Sequence, residues 1–276
     1  MLLSNMVAIV TGGATGMGRS TAVRFAEEGC DVVIADVKVG EAKKTLGLVK
    51  EKGRDGLAIE CDVSDSANVR QVVSETIAGF GKVDILVNSA GGSGASGQAH
   101  PTPPGLTNVT EERWDRTVAI NLKGTFLFCR EVVPHMRERK YGKIINISSL
   151  GWISPPVPGP DYHAAKAGVV GLSNDMACEL GAFGIHVNVI MPGPIRTPFY
   201  DFKTKNMTEA EKEAFFEAVG KITPLKRIGL PEDIAGVALF LASDLSSYVT
   251  GVTIPVSGGL PLSPTSSSFA GSGAEA

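Results

Sequence analysis

Residues 6–10 (Met-Val-Ala-Ile-Val) form an unbroken apolar run that ends in Thr11-Gly12-Gly13-Ala14-Thr15-Gly16-Met17-Gly18. A short apolar run suits a strand buried on both faces, the usual setting of a parallel strand. Helical spacing follows, with Met17, Ala22, Phe25 and Ala26 apolar, until Gly29 stops it. The unit then recurs. Strands are predicted at residues 32–35, 57–59, 83–87, 143–148, 185–190 and 252–256, and helices at 41–51, 66–80, 111–121, 122–140, 161–180, 208–220 and 231–241. Such alternation leaves little choice of architecture, because each helix must lie on the sheet to bury its apolar stripe. The fold class is α/β: a doubly wound parallel sheet with helices on both faces and right-handed crossovers. Residues 91–97 and 101–105 read as a long small-residue loop, and 261–276, rich in Ser, Gly, Pro and Ala, as a loose tail.

The first strand–helix junction carries glycines at 12, 16 and 18, a G-x-x-x-G-x-G spacing rather than the usual G-x-G-x-x-G. The physical need is similar: a tight turn, close approach of backbone to a pyrophosphate, and N–H groups exposed at a helix N-terminus. Thr11, Gly12, Thr15, Gly16, Met17 and Gly18 are therefore candidate cofactor residues. Asp36 ends the second strand 18 residues after Gly18. A carboxylate there accepts both hydroxyls of an adenosine ribose and repels a 2′-phosphate. Thr15, not Lys or Arg, precedes Gly16, although Arg19 just beyond the turn could reach a phosphate. The balance favours NAD(H) over NADP(H). Asp62, with Val63 beside it, follows the third strand, set either to accept from an adenine amino group or to cap the turn at Ser64. Asn88-Ser89-Ala90-Gly91 ends the fourth strand, where small residues let a cofactor pass; Asn88, Ala90 and Gly91 join the candidates.

Further on, Ser148-Ser149 closes a β-branched run, a Gly/Pro-rich loop follows, and Tyr162 and Lys166 stand four residues apart. On a helix they share one face. A phenol with a pKa of about 10 is a poor base at neutral pH. A nearby ammonium favours the phenolate, and an adjacent hydroxyl can hold a carbonyl or alcohol oxygen. Together these parts suit alcohol–ketone chemistry.

With 43% hydrophobic and 20% charged residues among 276, the composition is that of an ordinary globular chain. A net charge of −3 offers no basic field to nucleic acid, and the run Arg137, Arg139, Lys140, Lys143 reads as a solvated helix end. Cys30, Cys61, Cys129 and Cys178 lack C-x-x-C spacing and fit reduced, mostly buried thiols; His100, His135, His163 and His186 form no ligand motif, so no metal is expected. Neither a signal peptide nor a membrane-spanning run is recognised, and a cytoplasmic location is expected.

These motifs, in this order and spacing over nearly all of residues 6–259, resemble the short-chain dehydrogenase/reductase family. The resemblance implies one Rossmann-type domain over residues 1–260 with strand order 3-2-1-4-5-6-7 and a substrate lid at about 197–222. It implies a homo-oligomer, tetramer or dimer, that moves hydride between a nicotinamide and a secondary alcohol or ketone. It implies Tyr162 as acid/base, Lys166 as its tuner and a ribose ligand, and Ser149 rather than Ser148 as holder of the substrate oxygen. Asn121 corresponds to a residue supporting a water-linked proton relay, and Pro192, Gly193, the Ile195 backbone and Thr197 to the segment that holds the carboxamide. Two departures stand out: Asn88-Ser89 in place of Asn-Asn, and Ser257 where Asp is usual.

Candidate substrate-wall residues are Trp152, Ile153 and Pro156 on one side and Phe199, Tyr200, Phe202 and Met207 on the other; with Ser149 and Tyr162, Trp152 and Phe199 are the residues expected at the substrate. They favour an apolar, aromatic or cyclic secondary alcohol or ketone. His163 points off the Tyr162–Lys166 face and reads as structural. Rival readings are an acyl-carrier-protein ketoreductase, which more often uses NADPH, and a non-catalytic NAD-binding sensor, which would not need Asn121, Ser149, Tyr162 and Lys166 together. A sugar epimerase would carry a larger substrate domain, and a serine hydrolase a G-x-S-x-G.

Overall fold

The computed structural model describes residues 1–92, 105–156 and 159–262. The loop residues 93–104 (His100 among them), Pro158, and the tail from 263 onward lie outside the described residues, as does the side chain of Phe202.

The seven predicted strands form as β1 (Val7–Thr11), β2 (Asp31–Asp36), β3 (Gly56–Glu60), β4 (Ile85–Asn88), β5 (Gly142–Ile147), β6 (Ile185–Pro192) and β7 (Thr253–Val256). They make one parallel sheet in the order β3-β2-β1-β4-β5-β6-β7. The helices between them are α1 (Gly16–Glu27), α2 (Val39–Glu51), α3 (Ser66–Phe80), α4 (Glu111–Val118), α5 (Gly124–Arg139), α6 (Pro160–Leu180), α7 (Asp201–Thr204), α8 (Glu209–Lys221) and α9 (Pro231–Ala242).

The pleat explains why continuous apolar runs were needed. Ala8 and Val10 of β1 point to one face and Ile9 to the other; Val32 and Ile34 of β2 oppose Val33 and Ala35 in the same way. One face buries Phe25 of α1, Val49 of α2 and Ile234 of α9. The other buries Val72 of α3, Phe128 of α5 and Leu180 of α6.

Two differences from the sequence reading bear on the site. The predicted break between residues 121 and 122 is absent. α4 runs into α5 through a π turn, Ala119–Lys123, with Asn121 at its centre. Nothing in Ala-Ile-Asn-Leu-Lys stops a helix, and the Thr125 hydroxyl donates to the Asn121 carbonyl at 3.2 Å. The basic run is a solvated helix end in part: Arg139 and Lys140 close α5 at the surface, whereas Lys143 lies inside the sheet. Lys143 is buried at the start of β5, and Arg139 pairs with the buried carboxylate of Asp84 at 2.7 Å. Arg137 stacks on Phe183, 4.1 Å from the ring centroid. Asp84, one residue before β4, is paired by Lys82 as well as by Arg139.

Candidate functional site

The order of the sheet reverses at β1, between β2 on one side and β4 on the other, and a crevice opens there beyond the C-terminal ends of the strands. The Thr11 hydroxyl oxygen accepts from the N–H groups of Ser89 and Ala90, both at 3.1 Å, and ties the two strand ends together. Gly12, at φ +65°, lies so close to β4 that a Cβ on it would sit 2.7 Å from the Ala90 Cα. A Cβ on Gly18 would sit 2.3 Å from the Gly12 carbonyl oxygen. Only glycine fits either position. Thr15 flanks α1 without capping it through its side chain, so the first N–H groups of the helix are left for a ligand.

Asp36 stands beside this turn. One carboxylate oxygen accepts from the Ala14 N–H at 3.0 Å and the other from the Lys38 N–H at 2.9 Å. Arg19 turns away from the phosphate position toward α2, where it bonds Thr45 at 3.0 Å and Glu41 at 3.1 Å. Asp62 accepts from the backbone and hydroxyl of Ser64 at 2.9 and 2.7 Å and from Arg116 at 2.9 Å. Its cap geometry is therefore present whether or not it also meets an adenine. Val63 is buried, with its side chain and carbonyl oxygen against Gly124. Met17 packs partly into the core. Asn88 donates to Asn146 at 2.8 Å, inside the sheet. A closed glycine turn, free helix N–H groups and a fixed carboxylate fit a dinucleotide.

Across the crevice, Gly193 packs on Ser257: a Cβ there would lie 2.8 Å from the Ser257 Cα. Ser257 donates to the Leu260 carbonyl at 2.6 Å, so it closes the C-terminal turn locally. Past Pro192 and Gly193, Ile195 pairs with Gly229, and the Thr197 side chain reaches the glycine turn, 3.3 Å from where a Gly16 Cβ would be.

The second half of the site stands at β5 and α6. Ser148 and Ser149 point different ways. Ser148 donates to the Lys166 carbonyl at 2.8 Å, while Ser149 accepts the Gly151 N–H at 3.1 Å and hydrogen-bonds the Tyr162 phenol. The buried Lys166 ammonium donates to the Ile147 carbonyl at 2.9 Å and lies 5.8 Å from the Tyr162 ring centroid. Gly91 backs onto both partners: a Cβ on it would fall 2.5 Å from Asn121 Oδ1 and 3.1 Å from Lys166 Nζ. Asn121 clamps the next residue, accepting the Gly92 N–H at 3.1 Å and donating to its carbonyl at 3.0 Å.

Burial displaces both ionisable groups of the pocket. Burial pushes the Tyr162 phenol above its ordinary value, against the Ser149 hydrogen bond, and pulls Lys166 down to about 8. Both groups lose solvent, and the Lys166 ammonium faces the Ile147 carbonyl.

The apolar wall residues are exposed where core residues would not be: Trp152 at 36%, Ile153 at 49% and Phe199 at 43%. Phe199 lies 6.3 Å from Tyr162, ring to ring, and continues through Tyr200 to Phe215 and Phe216 of α8. His163 meets the Tyr162 ring edge-on at 5.7 Å and packs against Gly151, away from Lys166.

Comparison with known proteins now decides the family. Residues 12–261 match a family described as enoyl-(acyl carrier protein) reductase. The chain is 40% identical, over 95% of its own length and 99% of the relative's, to the BbsD subunit of (2S)-((R)-hydroxy(phenyl)methyl)succinyl-CoA dehydrogenase from Thauera aromatica. It belongs to the short-chain dehydrogenase/reductase family. A second relative, at 38% identity over 94% of this chain and 99% of its own, is a 3-oxoacyl-(acyl-carrier-protein) reductase of Thermotoga maritima. The crystal structure of levodione reductase superposes with a TM-score of 0.84 at 36% identity, covering 93% of this chain and 97% of that one. Membership of this family carries oxidoreductase chemistry between CH–OH and C=O with a nicotinamide cofactor and a small-molecule substrate. No helix among the described residues is long and apolar enough to cross a membrane.

The sequence reading missed the side chains that surround Asp161. Arg113 and Thr117 converge on that buried carboxylate, one residue before Tyr162. The four-residue spacing of Arg113, Thr117 and Asn121 was the available signal.

Proposed function

We propose that this family member is an NAD(H)-dependent oxidoreductase that interconverts a secondary alcohol and a ketone, with Tyr162 as acid/base and an apolar, aromatic or cyclic group beside the reacting carbon. The observation that carries this reading is the grouping of Ser149 with Tyr162, and of Lys166 with Asn121 at Gly91, at the same end of the sheet as a turn closed to any side chain and a fixed carboxylate at Asp36.

A nicotinamide, when bound, exchanges hydride with the substrate carbon. Tyr162 takes the hydroxyl proton in oxidation and returns it in reduction. Ser149 donates to the same oxygen, so the pair favours the charge that develops there. Lys166 supplies positive charge beside the phenol and holds a ribose hydroxyl. Asn121 keeps Gly91 and Gly92 against Lys166 and supports proton passage to solvent. Thr11, Gly12, Thr15, Gly16, Met17 and Gly18 take the pyrophosphate; Asp36 takes the adenosine ribose and repels a 2′-phosphate; Asp62, the Val63 backbone, Asn88, Ala90 and Gly91 line the adenine and ribose path. Pro192, Gly193, Ile195 and Thr197 hold the carboxamide. Residues 197–222 act as a lid. The exposed apolar side chains of Leu106, Trp114 and Phe126 support a homo-oligomer, tetramer or dimer, which we take to be cytoplasmic.

The exposed Trp152 and Phe199 support an aromatic or cyclic substrate, and the name of the Thauera relative describes a secondary alcohol carbon bearing a phenyl group. The Thermotoga relative supports a second reading, a ketoreductase of acyl-carrier thioesters. The test is a panel of aromatic, cyclic and linear secondary alcohols and 3-oxoacyl thioesters with NAD(H) and NADP(H), run on the wild type and on Tyr162→Phe. Turnover with NAD+ on aromatic or cyclic alcohols is expected. Tyr162→Phe should lose about 10²–10⁴-fold in rate while still binding NADH. Strict NADP+ use would remove the role given to Asp36, and normal turnover by Tyr162→Phe the role given to the phenol.

A further inference from the structure

Asp161 sits in the first turn of α6, immediately before Tyr162, and is fully buried. A carboxylate at a helix N-terminus gains from the dipole while still solvated, so burial here has another cause. One of its oxygens, Oδ2, accepts from Arg113 Nε and from the Thr117 hydroxyl, each at 2.9 Å. The other, Oδ1, is buried with no hydrogen-bond partner among the described residues. The Arg113 side chain is itself only 11% exposed. Burial alone would raise the Asp161 carboxyl; its hydrogen bonds to Arg113 and Thr117 outweigh that and hold it below the ordinary carboxylate range. The Asp161 carboxylate is therefore charged at neutral pH, against the Arg113 side chain. A buried ion pair with one unsatisfied oxygen is a poor way to gain stability, because well-packed apolar residues do as well or better. It is a good way to specify one register.

The surrounding geometry says which register. Arg113, Thr117 and Asn121 follow one another at intervals of four along α4 and into the π turn, and the Asn121 amide donates to the Thr117 carbonyl at 3.0 Å. Two turns along α6 from Asp161, Gly168 lies so close to the π turn that a Cβ on it would sit 2.8 Å from Leu122 Cδ2. The helices are thus fixed against each other at two points, a polar one at Asp161 and a steric one at Gly168. Tyr162 and Lys166 lie between them. We infer that Arg113, Thr117 and Asp161 are positioning residues: their buried cluster sets the register of the Asn121-bearing helix against the helix that carries Tyr162 and Lys166. This rests on the reading of Tyr162 as acid/base.

The test compares Asp161→Asn, Arg113→Met, their double variant, Arg113→Lys and Thr117→Val with the wild type and with Tyr162→Phe. Folding is followed by circular dichroism and NADH titration, turnover by steady-state kinetics. A small misplacement of reacting groups costs up to about a hundredfold in rate. Asp161→Asn and Arg113→Met should lose about ten- to a hundredfold in kcat, with KM and NADH affinity held within about twofold. The double variant should be no worse than the poorer single, as expected of two residues acting as one unit. Arg113→Lys should recover most of kcat. Folded single variants with unchanged kcat, or losses that multiply in the double, overturn the inference. If the charge variants do not fold, Thr117→Val decides, since it removes one hydroxyl: a fall in kcat of about threefold at constant KM supports the cluster, and no fall overturns it. Turnover by Tyr162→Phe overturns the acid/base reading itself, whereas an inactive Tyr162→Phe beside a fully active Asp161→Asn overturns this inference alone.

Discussion

The glycine turn and the Tyr162 pocket both stand at the C-terminal ends of the strands of one sheet, yet they are made by opposite means. The turn is backbone. Its shape comes from positions where a single added carbon would strike a carbonyl or a neighbouring Cα, as at Gly12 and Gly18. The pocket is side chain. Its character comes from a phenol and an amine that lose solvent together, with Lys166 drawn to about 8. A site made by exclusion tolerates no added atom and is indifferent to pH. A site made by desolvation tolerates changes of shape and responds to protonation. The difference teaches that cofactor capture and proton handling can be altered separately.

The largest effect that can break this contrast is on the pocket side. Lys166 has a folded pKa of about 8 against about 10.5 when unfolded. Below pH 8 both states are charged and the full burial cost is present. Between pH 8 and 10.5 the unfolded chain holds a proton that the folded chain does not, so this residue makes stability rise with pH through that window. Relative to Lys166→Met, the wild type should gain up to about 3 kcal/mol across it in urea unfolding. Taking the difference removes the opposite contribution of the buried thiols Cys30, Cys61 and Cys129, which burial pushes up. A flat difference would show that desolvation does not set the pocket.

On the cradle side, Gly18→Ala places a carbon 2.3 Å from the Gly12 carbonyl oxygen, and backbone must move. Forcing an atom into a packed site costs about 1–3 kcal/mol, or about ten- to a hundredfold in NADH affinity by fluorescence titration. That loss should be the same at pH 6.5 and 8.5; a pH-dependent loss would erase the distinction. The smallest effect belongs to the wall that the two regions share. Phe199→Ala removes a ring already 43% exposed, so KM for an aromatic alcohol should rise only about three- to tenfold, with kcat nearly unchanged.

The cradle was the more legible region, for a physical reason. Parallel strands buried on both faces announce themselves as apolar runs, and the residues at or just past their ends, Asp36, Asp62 and Asn88, stand by topology at the crevice. Spacing also brought Tyr162 and Lys166 to one helix. What the sequence could not convey were facts of burial and phase. The neighbours of Tyr162 are readable, but not that desolvation outweighs them. The Arg113–Asp161 pair joins residues 48 apart, so the four-residue spacing of Arg113, Thr117 and Asn121 does not name its partner. Lys143 lies in a predicted strand, yet its burial depends on what covers that strand. Helical periodicity is likewise blind to one extra residue when every residue nearby is content in a helix, and so the turn at Ala119–Lys123 was read as a break.

That turn has a consequence for how this chain can change. A π turn holds one residue more than the α-helical frame requires, so it stores an insertion inside an otherwise regular helix. Deleting any one residue of 119–123 would let the hydrogen-bond ladder close as ordinary α-helix. The helices on either side would keep their phase, because the wide turn absorbs the extra residue, but the residues inside it would each move round by up to about 100°. The helix would be mended and the clamp on Gly92 would swing away. Point substitutions can only weaken such an arrangement; changes of length reset its phase, which makes this segment a place where gain of helical regularity and loss of catalytic alignment are the same event.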